Sequence, residues 1–230
     1  MSERSPGPSL ERVRGLFNQT AGDEKHDPSA LSVLVPLWVL YDRVLRHDPA
    51  DPDGADRDRF LLSKGHGPLA LYSILAAWGY FPEAELETFL QRGSRLGGHP
   101  DRSLVPGIEI STGSLGHGVP MAIGVALALR ARGASNHVYV LLGDGEANEG
   151  SVWESVLAAG SLGLSNLTAI LINNHSSTPA LGDVGAKLAT FGWAATTVPA
   201  TDVDAIAAGL QSCVSGRPSV LVADWHEPGT

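Results

Sequence analysis

The stretch that most constrains what this chain can fold into is Val138-Tyr139-Val140-Leu141-Leu142-Gly143-Asp144-Gly145. Consecutive apolar, β-prone residues without polar alternation read as a strand covered on both faces, as in a parallel sheet with helices on either side. The strand stops at Gly-Asp-Gly, and a helix-forming segment over 147–162 follows. An acidic side chain is thus set at the carboxyl end of a buried strand, where open α/β sheets bind ligands. The next helix offers free N–H groups and the positive end of its dipole, both suited to phosphate. A carboxylate aimed at a phosphate needs a cation between them, and Mg²⁺ held by one or two protein oxygens plus phosphate oxygens meets that need. A second reading stays open on this stretch alone: Asp144 caps the next helix after a tight glycine turn.

A second apolar run, Leu167-Thr168-Ala169-Ile170-Leu171-Ile172, ends in Asn173-Asn174. Its distance from the first fits a helix, a short loop and a neighbouring parallel strand, so both polar ends would share one rim of the sheet. A carboxylate, an amide oxygen and a nearby backbone carbonyl make an oxygen-only site for a hard cation. The alternation continues elsewhere: a strand over 59–62 turning into a helix, a strand over 193–198, a helix over about 202–212 and a strand over 219–223. This pattern predicts an α/β fold, a doubly wound parallel sheet flanked by helices with right-handed crossovers. Other helices are expected over about 29–46, over 82–90 on the surface, and over 121–129, where small residues allow close packing on the sheet or across a subunit interface.

At 230 residues the chain suits one large domain. Its net charge of −9 argues against non-specific nucleic-acid binding. No apolar run approaches the ~18–20 residues of a membrane span, and no basic-then-apolar leader opens the chain, so the expected location is cytoplasmic. The single cysteine, Cys213, excludes an internal disulfide and a zinc cluster of the cysteine type. Two histidines stand out by position. His66, in Ser63-Lys64-Gly65-His66-Gly67, sits at a glycine-flanked strand-to-helix turn where a phosphate would dock. His99, in Gly97-Gly98-His99-Pro100, is a loop imidazole able to exchange a proton with a hydroxyl. Each also reads as a capping or backbone-satisfied loop histidine.

Gly143-Asp144-Gly145 followed at this spacing by Asn174 resembles the thiamine-diphosphate motif. The surroundings resemble the N-terminal half of transketolases: Leu62-Ser63-Lys64-Gly65-His66-Gly67, Gly98-His99-Pro100, Ser111-Thr112-Gly113-Ser114-Leu115-Gly116-His117-Gly118, and Glu149-Gly150 with Trp153-Glu154. The resemblance covers residues from about 20 to 225. It implies that Asp144, Asn174 and the backbone carbonyl of Ser176 hold Mg²⁺, which grips the diphosphate of thiamine diphosphate. Gly145 would let the backbone approach that diphosphate, with Gly143 and Glu146 also in the cofactor-binding set. Gly113, Ser114 and Leu115 would line the cofactor, His66 would contact its diphosphate or the nearby substrate, and His99 would face the donor's hydroxyls. His26, before the helix expected over 29–46, occupies the place of a substrate-contacting histidine, although Lys25 and Asp27-Pro28 replace the usual glycines. Glu149 would cap a helix or work at a subunit interface. His117 is given no catalytic role.

The chain departs from the family pattern in two places. Between Asn174 and Phe191-Gly192-Trp193 it is shorter, with His175-Ser176-Ser177-Thr178-Pro179 after the metal ligand. After Ala223 it runs Asp224-Trp225-His226-Glu227-Pro228-Gly229-Thr230, and His226 admits two registers, so no role is assigned to it. Nothing in the chain resembles the pyrimidine-binding domain, whose glutamate protonates the cofactor's ring nitrogen. The resemblance therefore implies a separate C-terminal transketolase subunit, in an α2β2 heterotetramer. The expectations are a flexible segment at 1–20, with a helix able to start near Leu10, and a thiamine-diphosphate-binding domain at 21–230. The expected function is the N-terminal subunit of a two-component transketolase, moving a two-carbon ketol unit from a ketose or ketose phosphate to an aldehyde. The alternatives are a specialised biosynthetic two-carbon loader, the α subunit of a 2-oxo-acid dehydrogenase type, and a degenerate half that only binds a partner.

Overall fold

The computed structural model describes residues 7–20, 28–177 and 180–226. Five strands form one sheet: β1 (Arg59–Leu62), β2 (Val138–Gly143), β3 (Leu167–Asn173), β4 (Ala194–Pro199) and β5 (Ser219–Asp224). Their order is β1-β2-β3-β5-β4, and every pairing is parallel. The central strands β2 and β3 are buried along almost their whole length, which is why their sequences are unbroken apolar runs. Side chains alternate between two cores. Tyr139, Leu141, Ile170 and Ile172 face a cluster built with α1 (Leu10–Thr20), α2 (Pro28–Val39), α3 (Pro68–Trp78) and α7 (Val203–Gln211). Val138, Val140, Leu142, Ala169 and Leu171 face α4 (Gly118–Ala131), α5 (Gly150–Ser161) and α6 (Val184–Thr190). The sheet is doubly wound as expected.

Two elements differ from the sequence reading. The helix expected at 82–90 is a 3₁₀ helix over Glu83–Thr88. The α2 helix gives way to a π turn at Leu40–Val44, ending the helix earlier than residue 46. The helix able to start near Leu10 is α1, over Leu10–Thr20; burial of Val13 and Phe17 against the α3 side offsets the entropy of ordering it. No helix among the described residues is long and apolar enough to cross a membrane.

Register sets the functional rim. Gly143 pairs with Ile172, and the Asp144 N–H donates to the Ile172 carbonyl at 3.0 Å. Asn173 pairs with Asp224 on the other side of β3. Asp144, Asn173, Asn174 and Asp224 therefore all emerge at the carboxyl ends of three adjacent central strands.

Candidate active site

Asp144 is buried, 1 % exposed. Its Oδ1 accepts from the Gly145 N–H at 2.8 Å and the Ser176 hydroxyl at 2.9 Å, and its Oδ2 accepts from the Ser177 N–H at 3.1 Å. The Ser176 hydroxyl also lies 2.8 Å from Asn174 Oδ1. One hydroxyl proton thus faces two acceptor oxygens, and only one can receive it at a time. The unshared electron density of a carboxylate and an amide oxygen converging on one point fits a hard cation. Asp144 does not cap: neither the 3₁₀ turn Glu146–Asn148 nor α5 has a side-chain cap bond. Of the two readings of Gly-Asp-Gly, the capping one is excluded by this geometry. The chain folds back at Asn174 because His175 adopts φ 57°, a left-handed conformation uncommon outside glycine. That turn returns Ser176 and Ser177 to Asp144.

A second network pins the glycine loop at 112–118 beside the strand tips. The Gly118 N–H donates to Ser63 Oγ at 3.1 Å, the Ser63 hydroxyl donates to Glu146 Oε1, and the Gly116 N–H donates to the same oxygen at 2.9 Å. The Gly116 carbonyl accepts from the Ser151 hydroxyl at 2.9 Å. Gly116 has φ 79°, and a Cβ there would come within 2.7 Å of Glu149 Cβ, so only glycine fits. A cavity of about 270 Å³ adjoins this network, lined by Ser63, Thr112, Ser114, His117 and Met121 among others. Thr112 Oγ1 in its wall is buried without a hydrogen-bond partner. A larger concavity of about 590 Å³, lined by Pro52, Asp53 and residues 101–108 and 111, contains none of the candidate residues. Chemistry rather than volume locates the site.

His99 and the loop come together as the sequence suggests. A Cβ on Gly113 would lie 3.2 Å from the His99 ring, and one on Gly65 would lie 3.2 Å from Leu115 Cδ2. His66, His99, Ser114 and Leu115 are all exposed. His26 falls outside the described residues. Glu146, grouped from sequence with the cofactor-binding residues, is buried behind the loop, 3 % exposed, with Oε2 unpartnered.

Sequence reasoning assigns no individual role to Ser63 or Lys64. Lys64 is 6 % exposed; its stem passes Gly143 and its ammonium donates to the Ser29 hydroxyl and, at 3.0 Å, to the His66 carbonyl. Both residues stand in the Ser-Lys-Gly-His segment, but Ser29, Gly118 and Glu146, to which they bond, are remote in sequence.

Burial raises the carboxyl of Glu146 above its ordinary value, with the Ser63 and Gly116 hydrogen bonds opposing the shift. A raised folded value means that this residue's contribution is fully present below the unfolded value and is lost as pH rises through the folded one. The Glu146→Gln variant should therefore gain on the wild type as pH rises. Thermal unfolding across roughly pH 4 to 9 reads this, spanning the ordinary carboxyl value; a difference that does not vary with pH would show that Glu146 titrates alike in the folded and unfolded chain.

Sheet and rim together define an α/β domain with its polar groups gathered at the carboxyl ends of parallel strands, where open α/β sheets bind ligands. Residues 18–224 match the family model described as transketolase, thiamine diphosphate binding domain. "Ferredoxin fas2" of Rhodococcoides fascians is 42 % identical over 94 % of this chain and 71 % of its own length. An apulose-4-phosphate transketolase subunit of Actinobacillus succinogenes is 38 % identical over 94 % of this chain and 81 % of its own. The solved Pichia stipitis transketolase in complex with sedoheptulose 7-phosphate is 32 % identical, with a TM-score of 0.85 over 94 % of this chain. This chain spans 35 % of that solved chain. The chain belongs to the transketolase thiamine-diphosphate-binding domain family. The ferredoxin name does not carry over, since iron–sulfur clusters need several thiolates and this chain has one cysteine.

Proposed function

We propose that this chain is the diphosphate-binding subunit of a two-component transketolase, acting through residues 21–230 with thiamine diphosphate and Mg²⁺. The observation that carries the reading is the convergence of Asp144 Oδ1 and Asn174 Oδ1 on the Ser176 hydroxyl at the rim of β2 and β3. An all-oxygen donor set of this kind suits Mg²⁺. Asp144 and Asn174 would hold the ion, with the Ser176 carbonyl as a third ligand. When bound, thiamine diphosphate supplies the carbanion chemistry.

The chain's own residues position and desolvate. Gly145 gives the diphosphate close access to the backbone. Gly113, Ser114 and Leu115 line the cofactor, and the Ser63–Glu146–Gly116 network holds that loop in place. His66 and His99, the latter with its ring beside Gly65 and Gly113, would orient hydroxyls and exchange protons with the sugar, and His26, two residues before α2 in sequence, would do the same. The donor would be a ketose or ketose phosphate and the acceptor an aldehyde. The exposed faces of Leu115 and Met121 beside the site support a separate subunit completing it, in line with the name of the apulose-4-phosphate relative, itself one subunit of a transketolase. The assembly would be an α2β2 heterotetramer in the cytoplasm.

Co-purification with the C-terminal subunit, followed by calorimetric titration with thiamine diphosphate and Mg²⁺, tests the reading. Saturable, Mg²⁺-dependent uptake by the pair and not by the lone chain is expected. A pair that forms but takes up no cofactor would leave only a partner-binding role.

A further inference from the structure

The two asparagines at the tip of β3 serve different neighbours. Asn174 Oδ1 meets Ser176 and Asp144 on the β2 side, whereas Asn173 Nδ2 donates to Asp224 Oδ1 at 2.8 Å on the β5 side. On that second side stands a cluster that the cofactor reading leaves unused. His175 Nε2 lies 3.1 Å from Asp224 Oδ1, and His226 Nε2 lies 3.1 Å from Asp224 Oδ2. The two imidazoles stack with centroids 4.6 Å apart and planes inclined by 20°. One ligand atom from each of the three residues falls within 4.8 Å of the others.

We propose that His175, Asp224 and His226 form a Zn²⁺ site on the β5 side of β3, separate from the oxygen-only site on the β2 side. The donor chemistry argues for it. Imidazole nitrogens favour zinc and its neighbours, whereas carboxylate and amide oxygens alone favour Mg²⁺. Two histidines and a carboxylate leave one position open, the arrangement of zinc sites that also bind water or a ligand. Each imidazole lies 3.1 Å from a different oxygen of Asp224, and the three ligand atoms lie within 4.8 Å of one another, so exposed rim side chains would draw in toward a shared ion with bonds of ~2.0–2.1 Å. The Asn173 amide holds the Asp224 carboxylate in orientation, as outer hydrogen bonds do at metal sites. His175 reaches the cluster through the same left-handed backbone that returns Ser176 to Asp144. Without a metal, the cluster amounts to two exposed imidazole–carboxylate contacts, which contribute little to stability.

Zinc competition against a chromophoric chelator, with Co²⁺ as a spectroscopic probe, tests this on the full chain without cofactor. Wild type is expected to bind one Zn²⁺ and to give Co²⁺ visible bands of a nitrogen–oxygen site. His175→Gln, His226→Gln and Asp224→Asn should each weaken Zn²⁺ binding by about tenfold or more. Asp144→Asn should leave it within about twofold, since Asp144 belongs to the other site. Unchanged affinity in the histidine variants overturns the proposal, as does loss of binding in Asp144→Asn alone. The histidines are exposed, so both variants should fold; melting temperatures without metal check this, and a single folded histidine variant is enough to decide the outcome. Because the assay contains no thiamine diphosphate, failure here is separate from failure of the transketolase reading.

Discussion

Replacing Asp144 by alanine is expected to lower Mg²⁺-dependent thiamine diphosphate uptake by the two-subunit assembly by about 100-fold or more. Loss of residues that merely orient metal ligands already costs ~10–100-fold, and Asp144 supplies the only formal negative charge in the Asp144–Asn174–Ser176 group. The same change removes the Asp144 acceptor from the Gly145 and Ser177 N–H groups, while the Ser176 hydroxyl keeps Asn174 Oδ1. Leaving buried partners unsatisfied costs ~1–3 kcal/mol, but Ser176 is exposed and water can replace part of the loss. A modest fall in melting temperature should therefore accompany a near-complete loss of cofactor binding. Calorimetric titration beside thermal unfolding separates the two. An Asp144→Ala assembly that still takes up cofactor with near-wild-type affinity would refute the metal assignment.

On α4, two glycine-to-alanine substitutions should act in opposite directions. A Cβ on Gly118 would overlap the Ser63 side chain and come within 2.9 Å of Ser63 Cα, so rotating the serine cannot clear it. The gain in helix propensity is at most ~1 kcal/mol, while overpacking costs ~1–3 kcal/mol. The clash also breaks the Gly118–Ser63–Glu146 chain of hydrogen bonds. Gly118→Ala should lower the melting temperature by several degrees and weaken cofactor binding with it. At Gly124, exposed on the same helix, nothing lies within 4 Å of an added Cβ. Gly124→Ala should stabilise the isolated chain by roughly 0.5–1 kcal/mol. Equal effects at the two positions, read by thermal unfolding, would show that packing against Ser63 is not what selects glycine.

Much of the architecture was legible because the strands carry their environment in their own composition. β2 and β3 could be read to within a residue from unbroken apolar runs ending in Gly-Asp-Gly and Asn-Asn. The short α6 was not foreseen, although Asp183, whose Oδ1 accepts from the Ala186 N–H at 2.8 Å, is a capping signal in the sequence. Its span, Val184–Thr190, is too brief for helical periodicity to stand out. The segment over 82–90 shows the opposite error. Alternating glutamates with apolar residues suggested an amphipathic α-helix, and only Leu86 there is buried, with a 3₁₀ turn sufficient to place it.

The sequence by itself determined which residues end the central strands and which chemistry they bring to the rim, because strand burial and side-chain type are local properties. Only the tertiary structure decided how those ends are shared. It set Glu146 behind the loop, tied Lys64 to Ser29, and split Asn173 from Asn174 between two neighbours. It also brought His175 to Asp224 and His226. Apart from the local Asn174–Ser176 and Asp224–His226 contacts, these join segments distant along the chain, fixed by strand register and by one left-handed turn, and neither residue type nor spacing encodes such contacts on its own.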